Sequence, residues 1–297
     1  MRRGTYSIVA RDPATGELGV AVQSHWFSVG SVVAWARPGV GAVATQSVAE
    51  VAHGPNTLDR LQQGMDARAA MTAVLASDAQ ARYRQLGVVD ATGLAVSHTG
   101  SSCIRFAGDA GGESFACQAN MMANETVPGA MAAAYRGSRG ELAERLLAAL
   151  DAAQAAGGDV RGQQSAALLV VPAAGEPWRT RFDIRVEDHA EPLRELRRLA
   201  RLARAYEMAG RADELAAEGE HAPATELYVR AAELAPEADE LSFWAGLGVA
   251  GSDLGQGVEL VRRAAAVGPG WLTLLERLDA ELAPNAPAVA AALRAKT

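Results

Sequence analysis

Lysine is all but missing from this chain: Lys296 is the only one in 297 residues. A Schiff base, a serine–lysine dyad and a phosphate-loop lysine all need that amine in a folded site, so three chemistries fall away together. Arginine stays protonated and cannot replace it as a base. Cysteine is scarce too: Cys103 and Cys117 make neither a disulfide framework nor a metal-spaced cluster, and read as reduced thiols in or near strands. The five histidines, at 25, 53, 98, 189 and 221, are scattered and none has metal-ligand spacing, so neither a metal nor a cofactor is expected. No G-x-S-x-G elbow occurs, which disfavours a serine hydrolase of that type.

Positive charge is also in deficit. The net charge of −7 argues against a nucleic-acid partner, which requires clustered Lys and Arg. The locally basic run Arg194, Arg197, Arg198, Arg201 and Arg204 reads as a solvated helix face balanced by Glu191 and Glu195. Long apolar runs are missing as well. Leu18 to Ala36 spans 19 residues without a formal charge, but Gln23, Ser24, His25, Ser28 and Ser31 interrupt it, so no membrane span is expected. No apolar run follows the two N-terminal arginines, so a secretory signal is not expected and the protein reads as cytoplasmic.

What is present is an ordinary globular composition, 49% hydrophobic and 21% charged, enough for one or two domains. Strands are expected at Thr5–Arg11, Leu18–Gln23, Val32–Ala36, Val40–Thr45, Tyr83–Val89, Leu94–His98, near Ala116–Gln118, and at Ser165–Val171 and Arg179–Val186, several joined by turn-forming residues. Helical spacing runs from Thr57 to Ala76, and again over Val127–Tyr135 and Glu141–Ala156. That order suits an α+β layered domain over residues 1–190. After Glu191-Pro192 the strand signal stops, and residues 191–297 form an all-α tail. Leu202, Ala203, Tyr206 and Gly210, then Ala224, Tyr228, Ala231 and Pro236, resemble tetratricopeptide-like helix pairs. Equally, the tail reads as a helical cap on the first domain or on a second copy of the chain, which would make a homo-oligomer.

Polar groups gather at strand ends: Gln23-Ser24-His25, Thr45-Gln46-Ser47, Gln118-Ala119-Asn120, and Gly157 to Ser165, which includes Asp159 and Arg161. Buried amides and hydroxyls need partners. Structural hydrogen bonding explains each cluster singly; four together point to a lined pocket. Thr5 opens the first strand just after Gly4. A threonine hydroxyl becomes a nucleophile when a base takes its proton, and its own α-amine, titrating near 7.7–8.0, can be that base if freed.

The runs Tyr6-Ser7-Ile8-Val9-Ala10-Arg11-Asp12, Gly16 to Phe27 and Gly39 to Gln46, with Gly157-Gly158-Asp159 and Gln164 to Leu168 later, resemble the domain of unknown function 1028 family over about residues 4 to 190. The resemblance implies a four-layer αββα sandwich of the N-terminal nucleophile hydrolase type. It implies Thr5 as nucleophile, Ser165 as the serine that orients the terminal amine, and Asn120 as an oxyanion donor, with Ala119 standing where the family more usually has glycine. Gln23, Ser24, His25, Thr45, Gln46, Asp159 and Arg161 are then candidates for a pocket taking a small-molecule or peptide amide. Two features depart from the proteasome type. No lysine lies on the third strand, where Arg37 is only an approximate substitute, and Met1 to Gly4 precede Thr5, so cleavage between Gly4 and Thr5 is required. Glycine there tolerates the strained backbone of self-cleavage. The rival expectation is an inactive small-molecule binding module on the same scaffold, its tail mediating assembly.

Overall fold

The structure, a computed structural model, describes residues 4–295. Met1 to Arg3, part of the segment expected to be removed, and Lys296 lie outside the described residues. The chain is a mixed α/β unit with antiparallel sheets up to Arg197 and a helical unit from Arg198 on.

The first unit opens with the hairpin β1 (Thr5–Arg11) and β2 (Leu18–Ser24). Its turn is set by Asp12, whose carboxylate accepts from the Ala14 N–H at 2.8 Å, and by Gly16 at φ +76°, a backbone that favours glycine. Next come α1 (Gly30–Val33), β3 (Ala34–Arg37), β4 (Gly41–Ser47), α2 (His53–Gln62), α3 (Ala67–Ala76), β5 (Arg84–Asp90) and β6 (Ala95–Thr99). They are followed by β7 (Gly108–Gly112), β8 (Phe115–Asn120), α4 (Val127–Gly137), α5 (Leu142–Ala155), β9 (Ser165–Val171) and β10 (Phe182–Val186). One sheet has six strands in the order β10-β9-β2-β1-β8-β7, the other four in the order β3-β4-β5-β6.

Strand alternation explains how the sheets are covered. Val9, Leu18, Val20, Val22, Ala116, Ala167 and Val171 of the larger sheet pack with Ala42, Ala44 and Val89 of the smaller, so these faces meet. The opposite parity of the smaller sheet, Val43, Leu86, Val88 and Val96, packs on Leu58, Leu61, Met71 and Val74 of α2 and α3. Helices α4 and α5 contact the larger sheet, where Gly19 lies under Leu146. Fully burying such a side chain contributes about 1.5–3 kcal/mol, which pins the register on both faces.

Three expectations are corrected. The strand expected at Val32–Ala36 begins as the helical turn α1, leaving β3 only four residues. The helix expected over Thr57–Ala76 breaks into α2 and α3, because Gly64 turns left-handed at φ +96° and Asp66 caps α3 by accepting from the Ala69 N–H at 2.7 Å. Strand β7, Gly-Asp-Ala-Gly-Gly, carries no apolar alternation and was not expected; pairing with β8 makes it.

The second unit follows α6 (Pro192–Ala217), which crosses the boundary, and comprises α7 (His221–Leu234), α8 (Asp239–Val249), α9 (Leu254–Val267), α10 (Gly270–Leu275) and α11 (Ala286–Arg294). Phe243, Leu247, Val258, Val261 and Val289 form its core. Helices α8 and α9 approach closely at Gly246 and Gly257: a Cβ on either would come within 2.7 Å of the other's carbonyl oxygen. No helix among the described residues is long and apolar enough to cross a membrane.

Candidate functional site

Register puts four polar residues in one row across the larger sheet: Asn120 pairs with Thr5, Thr5 with Ser24, and Ser24 with Ser165. Thr5 shares its face with Ser7 and Val9 and therefore looks between the sheets. All four are fully buried. One step further along, Gln118 pairs with Ser7, and on the facing sheet Gln46 pairs with Gln85. One end of the inter-sheet space is thus lined by hydroxyls and amides.

The row is organised around the peptide carbonyl that precedes Thr5. The Thr5 hydroxyl donates to Ser24 Oγ at 3.1 Å, and Ser24 in turn donates to the Gly4 carbonyl. Arg161 Nη2 donates to the same carbonyl oxygen at 3.1 Å. Arg161 is aimed by Asp159, which accepts from its Nε at 3.0 Å, its Nη2 at 2.8 Å and its backbone N–H at 2.9 Å. Asp159 also accepts from the His25 N–H at 3.2 Å, tying the Gly157–Gln164 loop to the end of β2. Met121 and Ser47, at the ends of β8 and β4, adopt left-handed backbone at φ 58° and 71°. Each such non-glycine residue stores about 1–3 kcal/mol, and residues of this kind concentrate at functional sites.

Behind Thr5 the amides interlock. Gln46 Nε2 and Asn120 Nδ2 both donate to Gln85 Oε1, at 2.8 and 2.9 Å, with long approaches to the Thr5 carbonyl at 3.4 and 3.5 Å. Gln85 Nε2 closes onto the Ala119 carbonyl at 2.9 Å. The Ser7 hydroxyl faces Gln46 Oε1 at 2.6 Å and Gln118 Oε1 at 2.9 Å, and its single proton serves one at a time. Gln118 lies against Gly87, where a Cβ would come within 2.1 Å of its amide. Gln118 Nε2 and Asn120 Oδ1 are buried without a hydrogen-bond partner among the described residues, at about 1–3 kcal/mol each.

The candidates named from sequence are only partly assembled. Thr5, Ser24, Gln46, Asn120, Asp159 and Arg161 converge. Asn120 Nδ2 gives one N–H to Gln85 and has the Thr5 carbonyl at 3.5 Å for the other, which places it in the amide network behind Thr5. Ser165 is in the row but accepts from the Val29 N–H at 3.1 Å and donates to the Trp26 carbonyl, bracing that loop. His25 contributes its backbone N–H; its Nδ1 is buried without a partner among the described residues. Gln23 and Thr45 do not join. Gln23 pairs with Tyr6 and so faces the opposite side of the sheet. Thr45 shares the parity of Val43 and donates to the Glu50 carbonyl at 3.0 Å. Arg37 cannot substitute for the missing lysine: it pairs with Gly41, at the other end of β4 from Gln46, and bonds Asp59 at 3.0 Å. Sequence reasoning missed Ser7 and Gln85, and placed Gln118 in a polar cluster without giving it a role in the site. The signal was there in Thr5-x-Ser7 and Gln118-x-Asn120, polar residues two apart and hence on one face of a strand.

Beyond the site, burial holds Tyr6 protonated, well above the ordinary tyrosine range, with Asp159 and Asp151 adding to the shift. Its hydroxyl donates to Gln154 Oε1 at 2.9 Å. Burial likewise pushes the Cys117 and Cys103 thiols up, so neither is a ready thiolate. No group of three or more His, Cys, Asp or Glu that could hold a metal occurs among the described residues.

Residues 5–196 match the family of unknown function DUF1028. The chain belongs to that family. It is also similar to the crystal structure of protein SPO2555 from Silicibacter pomeroyi, described as DUF1028, at 33% identity over 67% of this chain and 86% of that one, with a TM-score of 0.62. No curated protein matches.

Proposed function

We propose that this chain is an amide-bond hydrolase of the N-terminal nucleophile type, with Thr5 as nucleophile after cleavage of the Gly4–Thr5 bond. One observation carries the reading: the carbonyl of that bond is held by two donors, Ser24 and Arg161, while the Thr5 hydroxyl bonds the same Ser24. Two facing antiparallel sheets with helices against each support the αββα layering.

The self-cleavage balances as follows. Thr5 Oγ attacks the Gly4 carbonyl carbon, passing its proton to Ser24, whose own proton goes to the Gly4 oxygen. Arg161 stabilises any charge left there. Collapse breaks the C–N bond, the hydroxyl proton moves to nitrogen, and a glycyl ester remains on Thr5. That C–N cleavage frees the α-amine; water then hydrolyses the ester, freeing the Thr5 hydroxyl and releasing the leader peptide with Gly4 as its terminal carboxylic acid. In turnover, this amine takes the hydroxyl proton as Thr5 attacks an external small-molecule or peptide amide, and returns it to the departing amine. Intact mass and Edman sequencing test this: a chain beginning at Thr5 is expected, and a chain retaining Gly4 that still hydrolyses amides contradicts it.

The second reading is a binding module without catalysis, assembled through its tail. It draws on the complete burial of Thr5 and on Gln118 Nε2 and Asn120 Oδ1, which have no hydrogen-bond partner among the described residues and could meet a small polar guest. An uncleaved chain inert to an electrophilic threonine trap favours it.

A further inference from the structure

The space around Gly4 defines more than the cut. The glycyl ester that self-cleavage leaves on Thr5 is, chemically, an acyl-enzyme: an acyl group on the same oxygen, awaiting the same water. The surroundings of Gly4 are therefore the surroundings of a substrate's acyl group. A Cβ built on Gly4 would come within 2.6 Å of Asp159 Oδ2, 2.9 Å of Asp159 Cγ and 2.9 Å of Arg161 Nη2, closer than real Cβ atoms approach. Gly4 does not sit in the left-handed region, so the restriction is one of space and not of backbone conformation.

That wall has little room to retreat. The Asp159 side chain is fully buried and accepts from four donors: the His25 and Arg161 backbone N–H groups and Arg161 Nε and Nη2. The loop behind it is fastened by the Val160 N–H to the Met121 carbonyl at 3.1 Å and by a β-bridge between Met122 and Asp159. Displacing the carboxylate would disturb the guanidinium that holds the carbonyl oxygen.

We infer that the acyl group this site accepts is one whose carbon next to the carbonyl bears no side chain, a glycyl or acetyl group, and that the Asp159–Arg161 pair is the specificity wall. The inference rests on the hydrolase reading given above and adds the substrate class to it. A methyl group excluded from a close-fitting site is worth about 10–200-fold in kcat/KM, and a clash with a fixed carboxylate falls at the upper end.

The test uses the full chain and four chromogenic anilides, acetyl, glycyl, alanyl and valyl, with Thr5→Ala as background. Acetyl and glycyl anilides are expected to be hydrolysed at least about tenfold better than alanyl, and valyl not at all. In parallel, mass spectrometry of Gly4→Ala and Gly4→Val is expected to show slowed and abolished cleavage before Thr5. If alanyl or valyl anilide is hydrolysed as well as glycyl, and both variants cleave at the wild-type rate, the wall is not selective, and the inference falls while the hydrolase reading stands. If the wild-type chain is never cut and hydrolyses none of the four, the hydrolase reading fails and takes this inference with it.

Discussion

Two buried polar clusters of the first unit form a natural contrast. Between the sheets, Thr5, Ser7, Ser24, Gln46, Gln85, Gln118 and Asn120 are neutral hydroxyls and amides, and two of their atoms lack partners among the described residues. On the opposite, helix-covered face of the smaller sheet, Arg84 grips Asp78 through Nε at 2.6 Å and Nη2 at 3.3 Å, His53 meets the same carboxylate at 2.9 Å, and Arg84 Nη1 reaches the Val48 carbonyl at 2.5 Å. The charged cluster is well paired and fastens the loop after β4 to the start of β5. Its saturation is the signature of architecture. The neutral cluster carries three hydroxyls, of Thr5, Ser7 and Ser24, and is left unsaturated at two amide atoms among the described residues.

Substitutions that separate stability from activity can break this contrast. The largest effect is expected for Thr5→Ala: cleavage before residue 5 and all amide hydrolysis vanish, read by intact mass and anilide assay, while the thermal midpoint stays within a few degrees of wild type. Asp78→Ala should do the reverse. It leaves the buried Arg84 with only the Val48 carbonyl and the more distant Glu50 carboxylate at 4.0 Å, so urea unfolding should show a loss of about 3 kcal/mol, with cleavage at residue 5 still completed at low temperature.

Ser24→Ala removes one of two donors on the Gly4 carbonyl and the relay for the Thr5 proton. Cleavage is expected to slow about 10²–10³-fold, followed by mass against time, with the fold intact. Cleavage at the undiminished wild-type rate would remove Ser24 from the mechanism. A smaller effect concerns acid. The Arg84 guanidinium bonded to Asp78 holds its carboxyl well below the usual carboxylate range, although burial opposes the shift. A depressed folded value means that this stabilisation is present above the unfolded value near 3.9 and is lost as pH falls through the folded one. The unfolding free energy of wild type should therefore decline more steeply below about pH 4 than that of Asp78→Asn. Smallest of all is Gln118→Leu, which removes an unpaired buried donor at the cost of one shared bond to Ser7; its stability should lie within about 1 kcal/mol of wild type by chemical denaturation.

Much of the frame is legible in the sequence because the strands of the first unit are strongly apolar and bounded by turn residues: β1 and β9 fall where alternation and turns put them. Strand β7 is not legible, since Gly108 to Gly112 owes its extended form to a partner and not to its own side chains. The same holds for the site. Thr5 is conspicuous as a hydroxyl after glycine, and Ser24, Gln46, Asp159 and Arg161 as polar residues at strand ends. Which of these meet depends on parity: Gln23 lies next to Ser24 in sequence but faces the other way, and Thr45 is turned from Gln46 by the same rule. The role of Arg161 toward Gly4 spans 157 positions and is a product of the fold alone.

Strand β1 lies inside the larger sheet, with β2 on one side and β8 on the other, and β9 lies beyond β2. A nascent chain still short of Ser165 on the ribosome lacks that flank, and one short of Asn120 lacks the other; in both, Arg161 has yet to be synthesised. Under the proposed self-cleavage, release of the threonine amine would therefore follow translation of nearly the whole first unit, and a new chain terminus would serve a pulse-labelling experiment as a clock for completed folding.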